Sequence, residues 1–224
     1  MPPLHEDDGV FVLDLGDDEN RFSPDWLNEV NASLDTVVAH SDAGALVTTG
    51  QGKFYSNGLD LEWITEHADQ LASYRADVQE LLARVLTLPV PAVAAVHGHA
   101  FGAGAMLALA HDFRVMRADR GFFCFPEVDI DVPFTPGMAA LIQGKLTPAA
   151  AVEAMTTGRR FGGTQARERG LVDQVADEGD VVRTAVELVR PLAGKNRDTL
   201  GAIKSTMFAS AVTALRTPEP TAQS

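Results

Sequence analysis

Two spacings of apolar residues alternate along the first half of the chain. Short runs at 9–15, 44–49 and 91–96 carry apolar side chains on most successive positions, the pattern of strands buried on both faces. Between them the spacing widens to three and four. Trp26, Val30, Leu34 and Val37 predict a helix over 24–40, with Ser23 as its cap and Pro24 in its first turn. Leu71, Tyr74, Val78, Leu81, Leu82, Val85 and Leu88 line one face of a longer helix that stops before Pro89. A glycine-punctuated loop at 50–58 leads to a short helix from Leu59, and a second, at 97–105, leads to an apolar helix ending near Ala110. Segments 112–118 and 122–125 read as strands. From Pro136 onward the pattern is mostly helical, interrupted by a last short strand at 171–175. Strands alternating with helices imply parallel pairing and an α/β fold. Residues 1–224 are expected to form one domain, with an α/β core over 1–135 and a mainly helical part over 136–224. Two prolines mark 217–224 as a frayed tail.

Composition narrows the function classes. The net charge of -13 sets the surface against nucleic acid phosphates and anionic lipid, so neither nucleic acid nor membrane is expected as a partner. No apolar run approaches the ~20 residues that a membrane span requires. The amino terminus has neither the basic start nor the apolar stretch of a signal peptide, and Cys124 is the single cysteine; both fit a soluble protein of the reducing cytoplasm. Cys124 lies in the apolar run Phe122-Phe123-Cys124-Phe125 and reads as a small core residue. His97 and His99 form a His-x-His pair, but no third metal ligand accompanies them in the sequence, and no metal is expected.

Three segments carry candidate chemistry. Leu46-Val47-Thr48-Thr49 runs into Gly50-Gln51-Gly52-Lys53-Phe54-Tyr55-Ser56-Asn57-Gly58-Leu59-Asp60, and 92–96 runs into His97-Gly98-His99-Ala100-Phe101-Gly102-Ala103-Gly104-Ala105. Glycine turns of this kind point backbone N–H groups at an anion without intervening side chains. Two converging turns offer two donors to one developing oxyanion. Taken singly, such glycines need signify nothing beyond a turn. The phosphate-loop pattern is absent, Leu107 stands where the dinucleotide fingerprint has its third small residue, and no Gly-x-Ser-x-Gly elbow occurs. The third segment, 122–134, sets Glu127 among four phenylalanines, where desolvation raises a carboxyl pKa towards the range of proton transfer. In an extended stretch Asp129 and Asp131 share its face; as solvated acids, all three have no such role.

These motifs, in this order and spacing, resemble the crotonase (enoyl-CoA hydratase/isomerase) superfamily. The match includes Gly-Lys-Phe-Tyr-Ser-Asn-Gly-Leu-Asp-Leu, Val-His-Gly-His-Ala-Phe-Gly-Ala-Gly-Ala-Met, Pro-Glu-Val-Asp-Ile-Asp and the later Gly-Arg-Arg-Phe-Gly-Gly-Thr-Gln-Ala. The resemblance implies a spiral of ββα units with a helical C-terminal part that builds a homotrimer or a dimer of trimers. It implies an acyl-CoA thioester as substrate, with coenzyme A belonging to the substrate and no separate cofactor. The N–H groups of Leu59 and Ala103 then form the oxyanion hole and Glu127 is the acid/base. Ser56, Asn57, Gly58, Asp60 and Leu61 of the first turn, Gly102, Gly104 and Met106 of the second, and Lys53 facing a coenzyme A phosphate are implied substrate contacts; Asp60 also serves as a helix cap. Trp63 lines the acyl path or packs in the core, and Arg159 and Arg160 read as surface charges. Hydratases of the family carry a second glutamate where this chain has Met106. That departure, with Asn-Gly-Leu-Asp-Leu and Glu-Val-Asp-Ile-Asp, is most similar to the plant peroxisomal type of Δ3,Δ2-enoyl-CoA isomerase. The chain stops at Ala-Gln-Ser without a peroxisomal ending, which points to a bacterial cytoplasmic relative. Within the family a hydratase, thioesterase or decarboxylase is the alternative, with Asp129, Asp131 or Glu62 facing Glu127; outside it, a non-catalytic acyl-CoA-binding protein.

Overall fold

The computed structural model describes residues 3–40 and 44–218, so most of the expected frayed tail lies outside the described residues. Among the described residues nine strands form two sheets. The larger contains β1 (Leu4–Asp7), β2 (Val10–Asp14), β3 (Ala45–Thr49), β5 (Ala92–Val96), β7 (Phe113–Arg117) and β9 (Gln174–Ala176), adjacent in that order. The smaller contains β4 (Phe54–Ser56), β6 (His99–Phe101) and β8 (Phe123–Cys124). From β3 onward successive strands are dealt alternately to the two sheets, and all their pairings are parallel. Each turn of the chain therefore gives one strand to each sheet before a helix returns it, which is a spiral of ββα units.

The two small-sheet strands β4 and β6 replace what the glycine spacing presents as loop. At three residues each they are too short to show an alternation. Strand β1, which pairs antiparallel with β2, was likewise invisible in the spacing, because His5, Glu6 and Asp7 give it no apolar face.

The large sheet is covered on both sides, as parallel sheets require. On β5, Ala92, Ala94 and Val96 join the main core, whereas Val93 and Ala95 face the second. The main core is shared with α1 (Pro24–Ala39), α3 (Leu71–Leu86) and α4 (Ala103–Ala110). The second lies under α8 (Val181–Val189), through Val181, Ala185 and Val189. The predicted cap of α1 is present: Ser23 Oγ accepts from Trp26 N at 3.2 Å. Helices α5 (Pro136–Lys145), α6 (Pro148–Thr157) and α10 (Ala209–Arg216) contribute Leu141, Ile142, Ala150 and Leu215 to the same main core as α3 and α4. The helical third thus shares its core with the spiral. The short helices α2 (Leu61–Glu66) and α7 (Gly163–Glu168), with α9 (Arg197–Met207), complete the set among the described residues.

Leu81, on the buried face of α3, is wholly removed from solvent, whereas Val152 on α6 is 63% exposed. Leu81→Ala is expected to cost about 2–5 kcal/mol through lost burial and the cavity left behind. Val152→Ala should stay within roughly 0.5 kcal/mol. Denaturant midpoints at constant m-value compare the two, and equal shifts would contradict this account of the core.

Candidate active site

The first turn follows β4. Ser56 is fully buried, and its Oγ accepts from Gly58 N at 3.1 Å while donating to Asn20 O at 2.7 Å. Gly58 has φ +80, a left-handed conformation that glycine adopts without strain. Asp60 Oδ1 caps α2 by accepting from Trp63 N at 3.1 Å. The second turn follows β6, where Gly102 at φ +52 opens α4. A β-carbon on Gly58 would stand 2.8 Å from Phe101 O and 2.9 Å from Ala103 N, so the absence of a side chain at Gly58 lets the two turns approach backbone to backbone. One on Gly104 would meet Ser56 O at 2.4 Å, which presses α4 onto the first turn. Among the described residues no group accepts a hydrogen bond from Leu59 N–H or Ala103 N–H. The start of α4 adds the positive end of its dipole beside Ala103.

A buried polar chain braces the far end of α4. His111 follows that helix; its Nδ1 lies 2.8 Å from Leu107 O, so it carries the proton and donates. Burial drives the His111 pKa down to about 3, so the ring is neutral and Nε2 is an acceptor. Thr48 Oγ1 donates to it at 2.9 Å and accepts from Tyr55 OH at 2.8 Å. Strand β4, strand β3 and helix α4 are tied together by three side chains with all donor and acceptor roles assigned.

Glu127 stands just after β8, at the head of a turn in which Pro126 O accepts from Asp129 N at 2.8 Å and Glu127 O from Val132 N at 3.0 Å. Its side chain is 8% exposed, and its Oε2 has no hydrogen-bond partner among the described residues. Loss of water raises its pKa from the ordinary 4.5 to about 7. Glu127 Oε1 faces Gly102, 3.4 Å from where a β-carbon there would lie. The carboxyl therefore sits over the start of the second turn, at one wall of a cavity of about 220 Å³.

Of the residues singled out in the sequence, Asn57, Leu59, Leu61, Gly102, Ala103, Met106 and Glu127 line that cavity. Ser56, Gly58 and Gly104 lie behind the wall and shape it, and Asp60 faces its own helix. Lys53 sits over the Phe54 ring at 5.0 Å, outside the cavity. The expected face shared by Glu127, Asp129 and Asp131 does not form, because the segment is a turn with Asp131 at φ +55. Asp129 is turned towards Gly158 at the end of α6. The aromatic setting also differs: Phe123 and Phe125 are in the core and Phe122 is exposed, so Phe101 and Phe134 supply the rings at the cavity. Trp63 stacks on His67 at 4.4 Å and does not reach the cavity, whereas Arg160 lies 5.5 Å over the Phe101 ring. Phe134 is the one of the four phenylalanines of 122–134 that reaches the wall, whereas Arg21 and Met138 are wall residues that no motif announced, since they come from other segments. Glu127 is the one carboxylate on the wall among the described residues, and Glu62 is exposed on α2. No three His, Cys, Asp or Glu side chains are grouped for a metal among the described residues, and no described helix is long and apolar enough to cross a membrane.

With the ββα spiral and the cavity described, the model of the enoyl-CoA hydratase/isomerase family matches residues 5–221, and the chain belongs to that family. It is an enoyl-CoA isomerase/hydratase-type enzyme of the crotonase fold. The peroxisomal enoyl-CoA delta isomerase 2 of Arabidopsis thaliana is 38% identical over 206 residues, 87% of this chain and 86% of that protein. Enoyl-CoA delta isomerase 3 of the same plant is 36% identical over 220 residues, covering 93% and 92%. The apo structure of a Mycobacterium tuberculosis enoyl-CoA isomerase superposes with a TM-score of 0.88 at 30% identity, covering 96% of this chain and 94% of that one.

The raised carboxyl has a consequence for stability. The folded state holds the Glu127 proton up to about pH 7, whereas the unfolded chain releases it near 4.5. Between those values the native protein loses stability relative to the unfolded chain as pH rises. Glu127→Gln removes this penalty, so it should raise the thermal midpoint at pH 8 and lose that advantage by pH 4.5. A midpoint difference that does not change with pH would show that the carboxyl is not desolvated.

Proposed function

We propose that the protein is a Δ3,Δ2-enoyl-CoA isomerase that uses Glu127 as its single acid/base. The observation that carries this reading is the cavity wall: one carboxylate, Glu127, with apolar Met106 on α4 near it. Adding water across a double bond calls for two groups to hold the water and move its protons. A 1,3-proton shift needs one group that can reach both carbons.

The thioester carbonyl oxygen is held by Leu59 N–H and Ala103 N–H. The ionised Glu127 takes a proton from C2 of the 3-enoyl thioester, and the electron pair spreads over the carbonyl oxygen and the C3=C4 bond. The two amides and the start of α4 stabilise the charge on oxygen. Glu127 then returns the proton to C4, leaving the double bond between C2 and C3. A pKa of about 7 matches a group that must accept and release the proton in the same turnover. Met106 and the rings of Phe101 and Phe134 keep the dienolate away from water. The homotrimeric or doubly trimeric assembly and the cytoplasmic location implied by the resemblance belong to this reading too.

Purified protein offered a 3-enoyl-CoA and, separately, a 2-trans-enoyl-CoA tests it directly. Isomerisation of the first with little hydration of the second is the expected outcome; efficient hydration would overturn it. Glu127→Gln is expected to lower turnover by roughly 10²–10⁴-fold. Because the base form is the active one, kcat/KM should rise with pH and level off above about 7, the value to which burial lifts Glu127.

A further inference from the structure

Asn20 lies in the connection between β2 and α1, 1% exposed and at φ +47, a left-handed conformation that asparagine tolerates better than most residues. Its neighbours run alongside the first turn. Asn57 N donates to Glu19 O at 2.8 Å, Phe22 N donates to Gly58 O at 2.9 Å, and Arg21 bridges Gly58. The Asn20 carboxamide nitrogen faces three carbonyls: Gly16 O at 3.2 Å, Phe54 O at 3.2 Å and Tyr55 O at 3.1 Å. The Asn20 backbone carbonyl takes the Ser56 hydroxyl proton at 2.7 Å. That bond aims a lone pair of Ser56 Oγ at Gly58 N, 3.1 Å away.

The consequence reaches the candidate donor. Gly58 N is committed to Ser56 and Gly58 O to Phe22, while Leu59 O takes Arg21 Nη1 at 3.4 Å. Leu59 N–H is the next donor in line; it has no acceptor among the described residues, and Leu59 lines the cavity. Ser56 also bears the weight of Gly104, so the second turn is referred to the same point.

We infer that Asn20 is a positioning residue for the oxyanion site, its carboxamide and left-handed backbone holding Ser56 and thereby aiming the Leu59 N–H. The inference rests on the proposed role of Leu59 as an oxyanion donor. Aspartate would set an acceptor against three carbonyls. Glycine would keep the backbone but lose the carboxamide, which makes Asn20→Gly the informative variant. Ser56→Ala is its complement, cutting the link while leaving the Asn20 carboxamide in place.

The experiment uses the full chain and hexanoyl-CoA labelled with carbon-13 at the thioester carbonyl, which has no double bond to move. Its infrared carbonyl band reports how strongly the bound oxygen is polarised. Wild-type protein should shift the band to lower frequency, and Asn20→Gly should lose half or more of that shift. On a 3-enoyl-CoA, Asn20→Gly should lose roughly 10–100-fold in kcat with KM within about threefold, as expected for a displaced donor. Ser56→Ala should move both readouts in the same direction by less, and far-UV circular dichroism with the thermal midpoint checks folding. Folded variants with a wild-type band and kcat, or with a change in KM alone, overturn the inference. If Asn20→Gly does not fold, Ser56→Ala decides it by the same criteria. Failure of both to fold assigns Asn20 to stability alone and also overturns it. A wild-type protein that leaves the band unshifted refutes the oxyanion reading itself. A shifted band without isomerisation refutes only the reaction, and the band in the variants still decides the role of Asn20.

Discussion

The close approach of Gly58 to the first residues of α4 is the constraint on which the site depends. Two backbone segments meet closely because Gly58 carries no β-carbon where it faces the backbone of Phe101 and Ala103. That approach brings Leu59, the residue after Gly58, and Ala103 to the wall of one cavity. The contact is maintained from behind by Ser56 under Gly104 and, at the far end of α4, by the Tyr55–Thr48–His111 chain. Each element of that bracing is buried, so its hydrogen bonds face no competition from water.

The small parallel sheet explains why the site is where it is. Strands β4, β6 and β8 lie side by side and run in the same direction. Each is followed within three residues by one group of the cavity wall: Leu59, Ala103 and Glu127. The spiral thus brings two backbone amides and one carboxyl to a common cavity from segments distant in sequence. The large sheet sets the spacing of successive turns, and the helical third, through Met138 on α5, closes the cavity.

Chemistry and stability pull against each other at Glu127. A carboxyl kept from water and left with an unpaired oxygen is costly to ionise, and that cost is what lifts its pKa to the working range. Burial against the surrounding apolar wall, which includes Met106, raises that pKa. One environment therefore sets both the protonation behaviour of Glu127 and its cost to stability.

Much of this was legible in the chain. Apolar periodicity marked α1, α3, β2, β3 and β5, because long amphipathic helices and doubly buried strands leave strong spacing signals. The glycine turns and Glu127 were visible as motifs, and Met106 as a departure from the pattern of two acids. Other features were not. Strands β4 and β6 are too short to alternate, and β1 is too polar to register. The spread of Asp129 and Asp131 away from Glu127 follows from a turn whose left-handed residue, Asp131, is not a glycine and so gave no warning. The places of Asn20, Arg21 and Met138 exist only through contacts between segments far apart in the chain. Sequence alone determined the alternation of elements and the kinds of chemical group available, since these depend on local spacing and residue type. Tertiary structure alone decided which groups meet, how far each is desolvated and which hydrogen bonds aim them, since burial and hydrogen-bond geometry are properties of packed neighbours.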